Sequence, residues 1–184
     1  MSNKNFTILF TILTIVLGVI SLIFGLDRIL HLWNIPTMNP IFSDIRSISG
    51  VNETLAQGLD PLVINPGDPW NRAMNYPRVW QYIANHLNLN QDTAIYFGFI
   101  NIILFLIGFL MFVSRIELSK LIASVLLLAF FSPVSILALE RGNIDMMMFF
   151  LLSVALVYIS RPIIFSSMIL TASFLKIFPV FALS

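Results

Sequence analysis

Long apolar stretches dominate this chain, and short polar connections separate most of them. The hydrocarbon core of a membrane is about 30 Å thick, so a helix that crosses it needs roughly 20 mostly apolar residues. Five stretches match or approach that length: Phe6–Leu26, Ala94–Val113, Ser119–Leu139, about Ile144–Ile159, and Ile163 to the last residue. The pattern therefore predicts an all-α fold, a polytopic transmembrane helical bundle with about five spans.

One long polar segment, residues 27–93, joins the first two predicted spans and carries helical patterns of its own. Apolar residues recur at helical spacing from Val79 to Leu87, which predicts an amphipathic helix. A similar spacing from Ile41 to Ile48 predicts a short helix soon after the first span. Tryptophan and tyrosine residues cluster nearby, as is typical of the membrane interface. We therefore expect a structured loop with short interfacial helices.

The composition excludes several classes of protein. Hydrophobic residues make up 58% of the 184 positions, charged residues only 10%, and the mean hydropathy is +0.92. Such values are typical of neither a soluble domain, with about 25% charged residues, nor a disordered chain. A formal net charge of +1 gives no electrostatic basis for binding nucleic acid. Since cysteine is absent and His31 and His86 are far apart, we predict no metal site and no cofactor.

Basic residues in the short connections predict the orientation. Lys4, Arg115, Lys120 and Arg161 all fall on one side of the predicted bundle. Short loops rich in lysine and arginine usually stay in the cytoplasm. We therefore expect an integral multi-pass membrane protein with a cytoplasmic N-terminus and with residues 27–93 outside.

The chain ends within an apolar stretch, Phe181-Ala182-Leu183-Ser184, without a polar tail to meet water. This ending predicts that residues 1–184 form a single transmembrane domain that is the N-terminal part of a longer protein. Segment 27–93 is then the extracytoplasmic loop of that domain.

A charged turn, Glu140-Arg141-Gly142-Asn143-Ile144-Asp145, separates the third and fourth predicted spans. Ionisable groups near hydrocarbon are costly and usually face a protein interior or an aqueous cavity, so this turn is a candidate substrate site. A structural interpretation stays open beside it. In that alternative Asn143 caps the next helix, Asp145 lies in its first turn, and Glu140 pairs locally with Arg141.

A second ionisable group, Lys176, lies in the fifth predicted span. Counting from Ile163 at about 1.5 Å per residue places Lys176 roughly 20 Å through the bilayer, towards the side of the long loop. Pro179 can kink the helix around a cavity. The alternative is a lysine that only reaches the outer headgroups. We favour a site, because the embedded charges gather at one face of the membrane.

Asp44 follows the first span in the segment Phe42-Ser43-Asp44-Ile45-Arg46. Aspartate in a loop more often caps a short helix, but this carboxylate is expected on the same side as Arg141 and Lys176. A carboxylate can accept a proton from an alcohol while nearby cations hold a phosphate leaving group. That combination is the chemistry of sugar transfer from a lipid phosphate.

The order of these motifs along the chain resembles that of a known family. The motifs are Asp44 in the first loop, Gln57-Gly58-Leu59-Asp60-Pro61, Asn75-Tyr76-Pro77, Glu140-Arg141-Gly142-Asn143, and Phe174-Leu175-Lys176-Ile177-Phe178-Pro179. The chain is similar to the N-terminal portion of type-C glycosyltransferases, most of all glycosyltransferase family 87. Such enzymes are integral membrane proteins that use polyprenyl-phosphate sugars, often mannose, on the extracytoplasmic side. The resemblance implies a bacterial cytoplasmic membrane as the location.

The resemblance also implies roles for particular residues. Asp44 matches the first-loop aspartate that is the catalytic base in such enzymes, and Tyr76-Pro77 matches the segment beside it. Gly142-Asn143 stands where many members have Gly-Gln. Lys176 and Pro179 match the Lys–Pro pair of a later span.

The leading hypothesis is thus a membrane glycosyltransferase with Asp44 as its base. Its expected substrate-binding residues are Arg72, Tyr76, Glu140, Arg141, Asn143, Asp145 and Lys176. The expected partners are a polyprenyl-phosphate sugar donor, a glycolipid or glycan acceptor, the lipid bilayer, and a partner chain that supplies missing spans. Two alternatives stay open. One is a truncated, non-catalytic remnant of such an enzyme, and the other is a multi-pass transporter or lipid-binding membrane protein.

Overall fold

The computed structural model describes residues 2–177, in which helices joined by turns and loops make up the fold, with no strand in that range. The helices of this part of the chain are α1 (Asn3–Phe24), α2 (Leu26–His31), α3 (Ser43–Ser49), α4 (Val51–Ala56), α5 (Val79–His86), α6 (Ala94–Val113), α7 (Lys120–Phe130), α8 (Pro133–Arg141), α9 (Asp145–Val157) and α10 (Pro162–Leu175). The all-α prediction is therefore confirmed.

Serine and proline set the starts of the longer helices. The side chains of Ser2, Ser119 and Ser132 accept backbone N–H groups in the first turns of α1, α7 and α8, at 3.1–3.3 Å. These bonds satisfy donors that have no partner within the helix. Pro133 and Pro162 occupy the first position of α8 and α10, where a missing N–H costs nothing.

Two helices, α1 and α6, are long and apolar enough to cross a membrane. The pair α7 and α8, bent by 44° at its break, makes a third if it counts as one span. Helices α9 and α10 have only 13 and 14 residues, which is about 20 Å at 1.5 Å per residue. The prediction of about five spans is thus confirmed for two or three of them.

Two of the predicted spans are shorter because their helices end early. Helix α9 gives way to a turn at Tyr158, and the backbone leaves the helical conformation at Lys176, directly after α10. The rest of the predicted fifth span, including Pro179 and the apolar end of the chain at 181–184, lies outside the described residues.

The long helices alternate in direction. Rings of Phe10 and Phe109 lie 4.8 Å apart, which places the beginning of α1 beside the end of α6. Helices α6 and α9 run the same way, because Asn101 bonds the Asn143 carbonyl at 2.9 Å just before α9 begins. Helices α1, α7–α8 and α10 therefore run towards the end that carries segment 27–93, here called the loop end, and α6 and α9 run away from it.

An apolar cluster lies at each end of the bundle. The cluster at the loop end joins segment 27–93 to α6, α9 and α10, and its largest buried side chains are those of Trp80, Phe42, Ile45, Ile48, Met74, Ile144 and Met148. The cluster at the opposite end is built from phenylalanines of α1, α6 and α7, namely Phe6, Phe10, Phe109 and Phe130.

Segment 27–93 is folded onto the bundle rather than extended away from it. Helices α3 and α5 cover the positions where the apolar spacing predicted them, although α3 begins only at Ser43. Trp80 of α5 is buried, and its indole N–H donates to the Leu175 carbonyl of α10 at 3.0 Å. Leu87, by contrast, is 55% exposed. The packed side of α5 is therefore the side of Trp80, which anchors the segment.

Candidate functional site

Asp44 lies in the first turn of α3, and the start of that helix is tied to the end of α8. Phe42, directly before α3, has a left-handed backbone with φ 67°, and its N–H donates to the Glu140 carbonyl at 2.8 Å. This bond holds Asp44 close to the charged turn, although the two are far apart in the sequence.

Two glycines make room for the Phe42 ring. A Cβ atom on Gly98 would overlap that ring, and one on Gly142 would lie 3.2 Å from it and 2.8 Å from Ile45. Gly142 also ends α8 with φ 62°, a conformation that residues with a Cβ adopt only at a cost. The charged turn therefore approaches α3 closely because of its glycine.

Replacing Gly142 by alanine is expected to lower the free energy of unfolding by about 2 kcal/mol, from left-handed strain plus overpacking against α3. Gly58 provides a matched control, since its φ of 72° imposes the same strain while a Cβ atom there would meet no other atom within 4 Å. Gly58→Ala should therefore cost about 1 kcal/mol. Chemical unfolding in detergent measures both, and equal losses would contradict the close approach of Gly142 to α3.

Asp68 holds the guanidinium of Arg72 in a two-pronged ion pair. The Asp68 side chain is fully buried, its Oδ1 accepts from Arg72 Nη2 at 2.9 Å, and its Oδ2 accepts from Arg72 Nε at 3.1 Å. The same Oδ2 accepts the backbone N–H groups of Trp70 and Arg72 at 3.2 and 2.9 Å. Paired bonds of this kind fix both the position and the plane of a guanidinium.

Arg72 extends from Asp68 towards Asp44. Its Nη2 donates to the Ser43 carbonyl at 2.5 Å, and its Nη1 lies 4.0 Å from Asp44 Oδ1. The hydrogen bonds to Asp68 hold the pKa of Arg72 above its usual value, so the group stays charged. Sequence reasoning selected Arg72 and Asp44 but missed Asp68. The available signal was an acid four residues before a base.

Lys176 and Asp145 form a second ion pair at the same end of the bundle. Lys176 Nζ lies 2.5 Å from Asp145 Oδ1, and both side chains are partly exposed. Asp145 occupies the first turn of α9 as predicted, and the Asn143 side chain accepts its N–H at 2.8 Å. Lys176 itself lies just beyond α10 rather than within it, which corrects its predicted place inside a helix.

Glu140 and Arg141 do not form the local ion pair that one interpretation predicted, as the salt bridges within residues 2–177 show. The physical reason is that successive side chains of a helix point in different directions. Glu140 Oε1 accepts the Met38 N–H at 3.0 Å. Arg141 lines a cavity of about 430 Å³ together with Asn143 and Asp145. Its Nε atom is buried and has no hydrogen-bond partner among the described residues.

Asn101 supports the charged turn from within α6, and sequence reasoning missed it. This fully buried residue donates from its side-chain amide to the carbonyls of Gly142 and Asn143, at 3.1 and 2.9 Å. The signal was a single asparagine inside an apolar span, because a polar group there usually faces a partner.

The charges around Asp44 act on it in opposite directions. Burial raises the pKa of its carboxyl above the ordinary value, while the cations of Arg141, Arg72 and Lys176 lower it. Burial also raises the pKa of the Tyr76 hydroxyl, and the nearby carboxylates of Asp44 and Asp145 add to that effect. The Asp44 side chain keeps 17% of its surface exposed, so it stays within reach of a ligand.

Seven of the eight predicted site residues lie within electrostatic reach of others in the set. Six of them form a group that we call the charged cluster: Asp44, Arg72, Tyr76, Arg141, Asp145 and Lys176. The seventh, Glu140, interacts electrostatically with Asp44 and Arg141. Asn143 acts indirectly, because its side chain accepts the backbone N–H of Asp145 at the start of α9. The Glu140 side chain bonds Met38 and lines a different space, a groove beside α1.

No protein-family model, curated protein or solved structure matches the chain.

Proposed function

We propose that this chain is a membrane glycosyltransferase that moves a sugar, of the mannose type, from a polyprenyl phosphate to an acceptor hydroxyl. The observation that supports the proposal is the charged cluster. A partly buried carboxylate, Asp44, stands among three cations that come from three different parts of the chain. A base beside an array of positive charge suits a reaction that deprotonates an alcohol and expels a phosphate.

In the proposed reaction, Asp44 accepts the proton of the acceptor hydroxyl. The acceptor oxygen forms a bond to the anomeric carbon of the sugar, and the bond between that carbon and the phosphate oxygen breaks. The electron pair leaves with the polyprenyl phosphate, whose charge Arg72, Arg141 and Lys176 stabilise. Among residues 2–177 the Nε of Arg141 has no hydrogen-bond partner, and the cavity that Arg141 lines offers space for a phosphate group in this proposal.

The proposed arrangement places five passages in the membrane, with a cytoplasmic N-terminus and the charged cluster at the extracytoplasmic face. The alternating directions of α1, α6, α7–α8, α9 and α10 support this arrangement, because consecutive passages must alternate. Short helices such as α9 and α10 are compatible with it where a bundle thins the local bilayer.

A transfer assay tests the proposal directly. The full-length protein in lipid nanodiscs receives polyprenyl-phosphate mannose with a radiolabelled sugar, and a bacterial membrane lipid extract as acceptor. We expect label in the acceptor fraction together with release of polyprenyl phosphate, and none when a nucleotide sugar replaces the donor. A protein that binds the donor but never releases polyprenyl phosphate contradicts the proposal.

The same assay separates the two alternatives. A non-catalytic remnant gives no transfer with any donor, whether or not other chains are added. A transporter moves its substrate across a sealed vesicle without breaking a bond. It shows no chemical turnover, either as the wild-type protein or with Asp44 replaced.

The rate of transfer is expected to fall as the pH decreases through the raised pKa of Asp44, because the base must be ionised. The free energy of unfolding depends on pH in the opposite direction. A carboxyl whose pKa is raised by folding favours the folded state fully below its unfolded value of about 3.9, and this contribution disappears as the pH rises through the folded pKa.

Profiles of kcat/KM and of unfolding against pH measure both effects, with the Asp44→Asn variant as the reference for stability. The wild-type protein should lose stability relative to Asp44→Asn as the pH rises. A constant difference between the two across the acidic range is the result that speaks against a raised pKa.

A further inference from the structure

An apolar groove opens between α1 and α6 because these two helices diverge. At the opposite end they are joined by the stacked and tilted rings of Phe6, Phe10 and Phe109. Towards the loop end they separate, and a side chain at Gly18 of α1 would meet no atom within 4 Å. The gap is a groove of about 660 Å³, which is in the size range of about 300–1,000 Å³ typical of ligand sites.

The walls of the groove are those of a hydrocarbon-binding site. They come from α1 (Leu17, Gly18 and Leu22, with the hydroxyl-bearing Thr14 and Ser21) and from α6 (Phe99, Ile102, Leu106), so the lining between the two helices is mostly apolar. Both helices are long and apolar enough to lie in a membrane, so the groove is at the level of the lipid chains.

The end of the groove nearest segment 27–93 is acidic. Asp27 and Glu140 line it beside Thr37 and Asn39, and none of the described residues around the groove is a lysine or an arginine. Glu140 is fully buried, and its Oε2 has no hydrogen-bond partner among residues 2–177. A buried carboxyl oxygen without a partner favours an occupant that donates a hydrogen bond and disfavours an anionic one.

We infer that this groove binds the acceptor, and that the acceptor is a lipid whose uncharged head carries hydroxyl groups. The inference rests on the proposed function and deepens it, because it separates two lipids by charge. An anionic polyprenyl phosphate suits the cations of the charged cluster, whereas the acidic groove suits a neutral, hydroxyl-bearing head. Phe42 lines the groove, stands two residues before Asp44, and donates its N–H to the Glu140 carbonyl at 2.8 Å, so the acidic end of the groove is joined to the start of the helix that carries the proposed base.

Photo-crosslinking with a matched pair of lipids tests this inference. The full-length protein in phosphatidylcholine nanodiscs receives a photoactivatable diacylglycerol, or a phosphatidic acid with identical chains. We expect the diacylglycerol to label peptides of α1 and α6 about tenfold more than the phosphatidic acid does. Equal labelling by the two lipids overturns the inference, as does a crosslink that shows another segment of the protein filling the groove.

Two variants of neighbouring residues test the location. Gly18→Phe fills the groove and is expected to reduce labelling by diacylglycerol about tenfold, since pocket contacts of this size discriminate by that factor or more. Val19→Phe is the matched control, because Val19 is 49% exposed and does not line the groove. Equal effects of the two variants overturn the inference. Glu140→Gln should raise labelling by phosphatidic acid, and unchanged discrimination by this variant contradicts the role of the acidic end.

Binding and transfer distinguish failure of the inference from failure of the proposed function. In the transfer assay, Gly18→Phe is expected to raise KM for the acceptor and to leave KM for the donor unchanged. Selective labelling without any release of polyprenyl phosphate means that the protein binds a neutral lipid but is not a transferase, which removes the acceptor role. Transfer without headgroup-selective labelling means that the function stands and the groove does not hold the acceptor.

Discussion

Replacing Asp44 by asparagine is expected to lower the rate of sugar transfer about a thousandfold, within the range of 10²–10⁴ that positioned general bases contribute. Asparagine keeps the shape of the side chain but cannot accept the proton of the acceptor hydroxyl. Binding of the polyprenyl-phosphate donor should not weaken, since removal of a carboxylate leaves the cations of Arg72, Arg141 and Lys176 in place. The measurement is kcat for transfer, with donor affinity determined separately by titration.

Asp60→Asn is the control for this substitution. Asp60 belongs to the same folded segment, but its carboxylate forms an exposed ion pair with Arg78 at 2.7 Å, away from the charged cluster. Transfer by Asp60→Asn should stay within about twofold of the wild type, because exposed pairs contribute little. If Asp44→Asn retains most of its activity, Asp44 is not the base. Asp44→Glu should recover part of the rate if proton acceptance is what was lost.

Replacing Asp68 by alanine is expected to cost about 3–5 kcal/mol of folding stability, a larger loss than that expected for Gly142→Ala. The alanine removes an acceptor of four hydrogen bonds and leaves the partly buried Arg72 without its main partner. Losing one member of a buried pair is costly mainly because the other charge stays behind. Chemical unfolding in detergent measures the loss.

A double variant identifies the origin of that cost. Asp68→Ala combined with Arg72→Met removes both charges, and it should be more stable than Asp68→Ala alone. Asp60→Ala is the control for an exposed pair and should cost at most about 1 kcal/mol. If the double variant is no more stable than Asp68→Ala, then the backbone N–H groups of Trp70 and Arg72, and not the guanidinium, account for the loss.

Apolar composition along the chain was sufficient to predict α1, α6 and the stretch that holds α7–α8, because long stretches with few charges favour the membrane, but it did not predict the 44° bend between α7 and α8. It was not sufficient to predict where α9 and α10 end. Lys176 follows a run without charged residues, and the backbone leaves the helical conformation where Lys176 pairs with Asp145, a residue distant in the sequence.

The residues of the candidate site differ in how clearly the amino-acid sequence alone indicated them. Arg141 stood out because charges near hydrocarbon are rare, and Asp44 because it was expected on the same side of the membrane as Arg141 and Lys176. Asp68 was missed although it stands four residues before Arg72, because the local pattern does not show that its carboxylate is buried and accepts four hydrogen bonds. Glu140 was visible, but its hydrogen bond from the backbone N–H of Met38, 102 positions away, could not be predicted from the sequence. The groove depends on the divergence of α1 from α6, which has no counterpart in the sequence of either helix.

The hydrogen bond from Trp80 to Leu175 has a consequence for biosynthesis. These residues are 95 positions apart, and Leu175 with Ala172 completes the apolar cluster that buries Trp80. At translation rates of about 5–20 residues per second, the ribosome needs roughly 5 to 20 s to make the intervening chain. The loop is therefore synthesised well before its last packing partner exists, and a nascent chain stalled ahead of α10 would leave Trp80 uncovered.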